Sequence, residues 1–95
     1  MTTNDIEPTM AVLFEVFGVG SVYTIDTDPP TDRVQDVALP WQLEVQLPKT
    51  TGMLQVVAVG KEGPGPGCRI TVDGVVVSEQ PEGGSAHCIW AADQY

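Results

Sequence analysis

Glycine and proline are spread along the whole chain and divide its 95 residues into short segments. The longest segment free of both is 85–95, and every other such segment has nine residues or fewer. Both residue types penalise a helix interior, proline by about 3 kcal/mol, so long helices have no room in this chain. The remaining segments have the length of β-strands. We therefore predict an all-β protein, in one domain because of its length.

Three segments show the hydrophobic patterns of strands. In residues 41–47, apolar side chains alternate with Gln42, Glu44 and Gln46, which predicts an antiparallel sheet with one solvated face. Residues 53–59 are almost continuously apolar, which indicates a central strand. Residues 10–17 are apolar on both faces apart from Glu15, which indicates a strand that is buried on one side and partly covered on the other.

The turns between the strands complete the fold prediction. Asp73-Gly74 between two β-branched runs predicts a hairpin with a type I′ turn. We also predict a hairpin around Gly18-Val19-Gly20, a short edge strand at 33–38 and a last strand at 86–92. Seven to eight short strands with regularly spaced turns predict an immunoglobulin-like antiparallel β-sandwich, with an open barrel as the alternative. The domain covers residues 10–95, after a polar, disordered leader at 1–9.

The charge balance disfavours several classes of partner. The net charge is −9, and the four basic residues are scattered singly, at Arg33, Lys49, Lys61 and Arg69. Binding to nucleic acids or to anionic membrane surfaces requires clustered basic residues, so we expect neither as a partner. We also expect a monomer. No run approaches the ~20 apolar residues of a membrane span, and no signal peptide opens the chain. A chain without a signal peptide by itself suggests the cytosol.

The two cysteines point toward a different compartment. Cys68 and Cys88 each lie near the start of a strand, after a glycine-rich loop. If these strands are neighbours, the Cα atoms fall within the bridging range of ~4.4–6.8 Å. We favour a structural disulfide, which would favour an oxidising compartment. Two buried free thiols and a reactive thiol remain the alternatives.

No residue pattern indicates catalysis, a metal or a cofactor. His87 is adjacent to Cys88, but neighbouring residues of a strand point to opposite faces. Four acidic residues lack the spacing of a calcium loop: Asp26, Asp28, Asp32 and Asp36. Residues 63–67 lack the helix that a phosphate-binding loop needs. The serines belong to no nucleophile motif. We therefore expect that the protein is not an enzyme.

The aromatic residues divide into two groups. Trp41 and Trp90 lie on apolar strand faces, which indicates core packing rather than ligand stacking. Tyr23 and Tyr95 fit either the core or an exposed interface, and the sequence does not choose between them.

An ordered set of motifs carries a family resemblance. FEVFG at 14–18, LPW at 39–41, VVA at 56–58, GCRITVDG at 67–74 and a final cysteine at 88 resemble the MmpS family of small mycobacterial membrane proteins, over about residues 10–92. The resemblance implies an extracytoplasmic β-sandwich with a Cys68–Cys88 disulfide, on the periplasmic side of the cell envelope. Family members usually carry one N-terminal transmembrane helix. This chain shows none, so we expect either a chain that starts after the helix or a soluble relative.

The resemblance also implies a function. MmpS proteins are accessories of MmpL transporters, RND-type exporters of siderophores and lipids. We therefore expect a non-enzymatic accessory or adaptor domain that binds an MmpL-type transporter, and in addition a siderophore or lipid cargo. This hypothesis predicts an oxidised cysteine pair, a rigid sandwich, and an exposed apolar patch or edge strand for docking. The alternative is a stand-alone, soluble immunoglobulin-like binding module, secreted or phage-encoded.

Overall fold

Eight antiparallel β-strands account for the regular structure of the described residues. The computed structural model describes residues 8–31, 33–61, 65–84 and 86–91. The strands have five to nine residues each: β1 (Thr9–Phe17), β2 (Ser21–Asp28), β3 (Val34–Ala38), β4 (Trp41–Pro48), β5 (Met53–Gly60), β6 (Gly67–Val72), β7 (Val75–Gln80) and β8 (Ala86–Ala91). Thr9, which the sequence assigned to the leader, is the first residue of β1. Residue 92, predicted as the end of the last strand, lies outside the described residues.

The strands form two four-stranded sheets. Sheet A has the order β4-β1-β6-β7, and sheet B has the order β3-β2-β5-β8. All pairs are antiparallel, so the predicted immunoglobulin-like β-sandwich is confirmed. The predicted central position of β5 and the edge position of β3 are confirmed as well.

The predicted hairpin at Asp73-Gly74 is confirmed. Val72 and Val75 pair across the turn, and both turn residues have positive φ, 49° at Asp73 and 85° at Gly74. Asp73 also connects this hairpin to β1. Its backbone N–H donates to the carbonyl oxygen of Ala11 at 2.8 Å, and its Oδ1 accepts from the Ala11 N–H at 2.9 Å. The turn therefore continues the β1–β6 ladder beyond the end of β6.

The predicted hairpin at Gly18-Val19-Gly20 is wrong. Its two flanking strands lie in different sheets, because β1 pairs with β4 and β6 whereas β2 pairs with β3 and β5. The three residues carry the chain across the sandwich, and Gly18 and Gly20 have φ values of 144° and 85°. The N–H of Leu39 donates to the Gly20 carbonyl oxygen at 2.9 Å and thereby joins this crossover to the one between β3 and β4.

The core lies between the inward faces of the two sheets. Its members are apolar side chains and the two cysteines: Met10, Val12, Phe14, Val16, Val22, Ile25, Leu54, Val56, Ala58, Cys68, Ile70, Ala86 and Cys88. Trp41 and Trp90 pack half-buried against this cluster, in line with their core interpretation. Among the described residues no polar or charged side chain is buried. The chain's polar groups therefore lie at the surface, where the two outer faces differ sharply.

Candidate interaction surface

A disulfide between Cys68 and Cys88 ties the two sheets together. Cys68 lies on β6 in sheet A, Cys88 lies on β8 in sheet B, and their Cα atoms are 6.1 Å apart. Both side chains are at most 1% exposed, so the bond is shielded from solvent. His87 points to the opposite, exposed face of β8, away from Cys88. The structure thus brings the cysteines together and leaves the histidine apart.

The outer face of sheet A is charged and polar. Arg69 on β6 lies between two carboxylates, with Nε 2.9 Å from Glu79 on β7 and Nη1 3.0 Å from Glu15 on β1. These hydrogen bonds, first to Glu79 and then to Glu15, raise the pKa of Arg69 above its ordinary value. Strand β4 adds exposed glutamine and glutamate side chains, at Gln42, Glu44 and Gln46. A face of this composition is suited to contact with water.

The outer face of sheet B carries exposed apolar side chains along β5 and β8. Met53 is 43% exposed, Val59 50% and Ile89 46%, and all three point away from the core. The register places Met53 opposite Ala91, and Ile89 two pairs further along, opposite Gln55. We call five side chains the apolar patch: Met53, Val57, Val59, Ile89 and Ala91. Gln55 and His87 lie among them on the same face, opposite Ile89 and Val57. Several exposed apolar side chains on one face are a feature of interaction sites in soluble domains.

Ion pairs on β2 and β3 border the apolar patch. Arg33 Nε lies 2.7 Å from Oδ1 of Asp26, and Lys61 Nζ lies 2.8 Å from Oδ1 of Asp36. The hydrogen bond to Asp36 raises the pKa of Lys61. Because Asp26 and Asp36 each have a cation beside them, they add little net charge to this face.

A groove of about 560 Å³ continues the apolar patch at the far end of β5. The loops after β5 and β7 meet there, joined by a hydrogen bond of 2.8 Å from the Gly83 N–H to the Gly65 carbonyl oxygen. The groove is lined by Val57, Ala58, Val59, Gly60, Lys61, Gly65, Pro66, Gly84, Ala86 and His87. Val57 and Val59 thus belong both to the apolar patch and to the groove.

Two glycines allow these loops to pack closely. A Cβ atom on Gly65 would overlap the carbonyl oxygen of Gly84, and one on Gly67 would overlap the ring of Phe17 and the carbonyl oxygen of Gln80. The glycine-proline segment therefore has a packing role at these two positions. Gly63 and Pro64, the start of the segment considered as a phosphate loop, lie outside the described residues.

The aspartates and tyrosines that the sequence analysis considered as metal ligands or interface residues do not form one site. Asp26 and Asp36 pair with different cations, and Asp32 and Tyr95 lie outside the described residues. Within the described ranges, no three His, Cys, Asp or Glu side chains come together as metal ligands. Tyr23 is 52% exposed and lies under Lys61, whose Nζ is 5.4 Å from the ring centroid. Tyr23 thus belongs to the outer surface of sheet B rather than to the core.

Sequence reasoning did not locate the apolar patch, although its signal was present. The almost continuously apolar run at 53–59 correctly predicted a central strand. Only Leu54, Val56 and Ala58 of that run are buried, however, and the alternate residues face outward. The run therefore indicated apolar side chains on the second face, at Met53, Val57 and Val59, but not that this face is exposed.

Apolar side chains are also exposed on sheet A. Val75 and Val76 are also exposed, directly after the Asp73-Gly74 turn at the edge of sheet A. In the described part of the chain, no helix is long and apolar enough to cross a membrane.

Comparison with known proteins identifies the family. The family described as Mycobacterium membrane protein matches residues 2–90. The chain is 36% identical to the probable transport accessory protein MmpS1 of Mycobacterium bovis, covering 82% of this chain and 61% of that protein. It is 38% identical to the siderophore export accessory protein MmpS5 of Mycobacterium tuberculosis, covering 73% of this chain and 50% of that protein. The chain thus spans about half to three fifths of the length of these relatives. These matches confirm the resemblance carried by the motifs, and the chain belongs to the MmpS family of mycobacterial membrane proteins.

Proposed function

We propose that this chain is a non-enzymatic accessory domain that docks on an MmpL-type exporter of the RND class through the apolar patch of sheet B. The observation that carries the proposal is the contrast between the two outer faces. Sheet A presents the Glu15–Arg69–Glu79 ion pairs to water and, among the described residues, has exposed valines only at its β7 edge, whereas sheet B presents Met53, Val59 and Ile89 on two neighbouring strands. The names of the relatives, a transport accessory protein and a siderophore export accessory protein, support the accessory role.

The disulfide supports a location outside the cytosol. Disulfides persist in oxidising compartments and are rare where thiols are kept reduced. The Cys68–Cys88 bond is buried and joins the two sheets, so it belongs to the architecture of the domain. We therefore place the domain, whose first strand begins at Thr9, on the periplasmic side of the envelope. The domain is a monomer until it meets the exporter, and the exported cargo is a siderophore or a lipid.

Docking through a sheet face fits the physical properties of the apolar patch. Interface cores are apolar and depleted in charge, and they are surrounded by a polar rim. Met53 and Ile89 would form such a core, and the Asp26–Arg33 ion pair would form part of the rim. The affinity then depends on a few well-packed side chains rather than on the total contact area.

Site-specific photo-crosslinking in mycobacterial cells tests this proposal. A photoreactive amino acid replaces Met53 or Ile89 in the apolar patch, and matched controls carry it at Val76 on β7 or Gln46 on β4. We expect both patch positions to give an adduct that mass spectrometry identifies as an MmpL-type transporter, and both control positions to give none. Equal crosslinking at patch and control positions would refute docking through sheet B.

A second measurement concerns the cargo. Deletion of the gene should reduce export of a siderophore or a cell-envelope lipid, and the complete gene should restore it. Unchanged export of both classes, together with no transporter adduct, would favour the stand-alone binding module.

A further inference from the structure

The groove at the end of β5 combines apolar side chains with a lysine, Lys61, at its rim. We propose that it binds an amphipathic anion, an acyl chain that ends in a carboxylate or a phosphate. The acyl chain would lie along β5, and Lys61 would hold the anionic end. The groove shares Val57 and Val59 with the apolar patch, whereas Lys61, Asp36, Met53 and Ile89 each belong to one proposal alone, so variants at those positions test the two proposals separately.

The floor of the groove suits an acyl chain. Val57 and Val59 on β5 supply apolar contacts, Val59 being 50% exposed, and the buried Ala86 and Pro66 lie behind them in the lining. The volume of about 560 Å³ lies within the range of roughly 300–1,000 Å³ that is usual for small-molecule sites. Such sites combine apolar surface with a few polar groups that orient the ligand, and here the polar side chains are Lys61 and His87.

Lys61 is held in position for an anionic head group. Its Nζ contacts Oδ1 of Asp36 at 2.8 Å and lies 5.4 Å from the ring centroid of Tyr23. An ammonium group has three N–H donors, so one contact with Asp36 leaves donors for a ligand. His87, exposed on β8 opposite Val57, adds a second polar group at the rim.

The position of Lys61 is notable in so acidic a chain. The protein has four Lys and Arg residues and a net charge of −9. Arg69 lies between two carboxylates on sheet A, and Lys49 lies beyond the opposite end of β5. The groove thus combines apolar surface with a cation on a chain that otherwise repels anions.

Nuclear magnetic resonance titration of the complete chain tests the proposal. The probes are decanoate, decyl phosphate and decyltrimethylammonium, which share one alkyl chain and differ in the head group. We expect both anions to shift the backbone amides of Val57, Val59, Lys61 and His87, and decyltrimethylammonium to shift them much less. The tighter of the two anions identifies the head group as carboxylate or phosphate.

Three variants separate recognition by Lys61 from general effects. K61Q should weaken anion binding about fivefold or more, because a contact with a charged group is lost. D36N should tighten it about twofold or more, because a competing carboxylate is removed. Asn tolerates the positive φ of 52° at this position. K49Q, which makes the same change of charge at a distant loop, should leave the affinity within about twofold.

The opposite signs expected for K61Q and D36N distinguish a binding role from a structural one. If Lys61 only stabilised the fold through Asp36, both variants would change binding in the same direction. That result, an equal effect of K49Q, amide shifts centred outside the groove, or equally strong binding of decyltrimethylammonium would overturn the proposal.

Discussion

Removal of the Cys68–Cys88 disulfide should cost this domain a large share of its stability. The double variant C68A/C88A replaces both buried cysteines with a small apolar residue and leaves no free thiol. The two positions are separated by 20 residues in sequence, so the bond closes a loop of about 21 residues. In the chain-entropy model, the loss of a cross-link of this length lowers the free energy of unfolding by about 3 kcal/mol. Lost packing of the two sulfur atoms in the core adds to this value.

The expected loss is a large fraction of the free energy of unfolding of the whole domain. A domain of this length has a free energy of unfolding of about 5–14 kcal/mol. Urea unfolding followed by tryptophan fluorescence measures the change, because Trp41 on β4 and Trp90 on β8 place one reporter in each sheet. With a slope of about 1–1.5 kcal/mol per molar urea, the midpoint should fall by about 2–3 M. The parent protein, unfolded and reduced before refolding in reductant, should show nearly the same loss as C68A/C88A.

One result would refute this reasoning. A loss below about 1 kcal/mol in the double variant would show that the bond restricts the unfolded chain much less than its loop length implies. Reduction of the native parent offers an independent check, because both cysteines are at most 1% exposed. A mild reductant should cleave the bond no faster than the protein unfolds.

Two further predictions concern the turn and the loop packing. D73A should lower the free energy of unfolding by about 1–2 kcal/mol, because alanine disfavours positive φ and cannot accept the hydrogen bond from the Ala11 N–H. The control D73N should lower it by about 0.5 kcal/mol or less. Equal losses for the two variants in urea unfolding would contradict the argument. G67A should lower the free energy of unfolding by about 1–3 kcal/mol, because its Cβ would overlap the ring of Phe17. The control G52A has open space around its Cβ and should stay within about 0.5 kcal/mol of the parent. Similar melting temperatures for the two variants would refute the close approach of Gly67 to Phe17.

The sequence predicts those parts of the fold that depend on local chemistry. The Asp73-Gly74 turn needs positive φ at two adjacent residues, and few residue types other than these supply it, so the hairpin follows from two letters. The alternation at 41–47 likewise predicts both the strand and its solvated face. Both signals are complete within a few residues, and both were confirmed.

The sequence does not specify which strands pair when the same turn chemistry serves two purposes. A glycine turn such as Gly18-Val19-Gly20 can close a hairpin or cross from one sheet to the other. The difference depends on distant partners, here the pairing of β1 with β4 and β6. For the same reason the apolar patch was out of reach, since nothing local shows whether the second face of residues 53–59 is covered.

The cysteine pair falls between these cases. Spacing alone left a disulfide, two free thiols and a reactive thiol open. The family resemblance implied the bond between Cys68 and Cys88, and the structure contains it, between the sheets. The geometric reason is the stacking of β8 over β6, which only the assembled sandwich reveals.

The most direct test of docking through sheet B compares two matched substitutions. Ile89 on β8 and Val76 on β7 are 46% and 49% exposed, and each lies on an edge strand, one in each sheet. The measurement is the affinity of I89D and V76D for the purified MmpL-type transporter of the source organism, after urea unfolding has shown both variants folded. We predict that I89D weakens binding about tenfold or more, as for the loss of a buried interface side chain, and that V76D stays within about twofold of the parent. Equal losses in both variants, or a loss in V76D alone, would contradict the account.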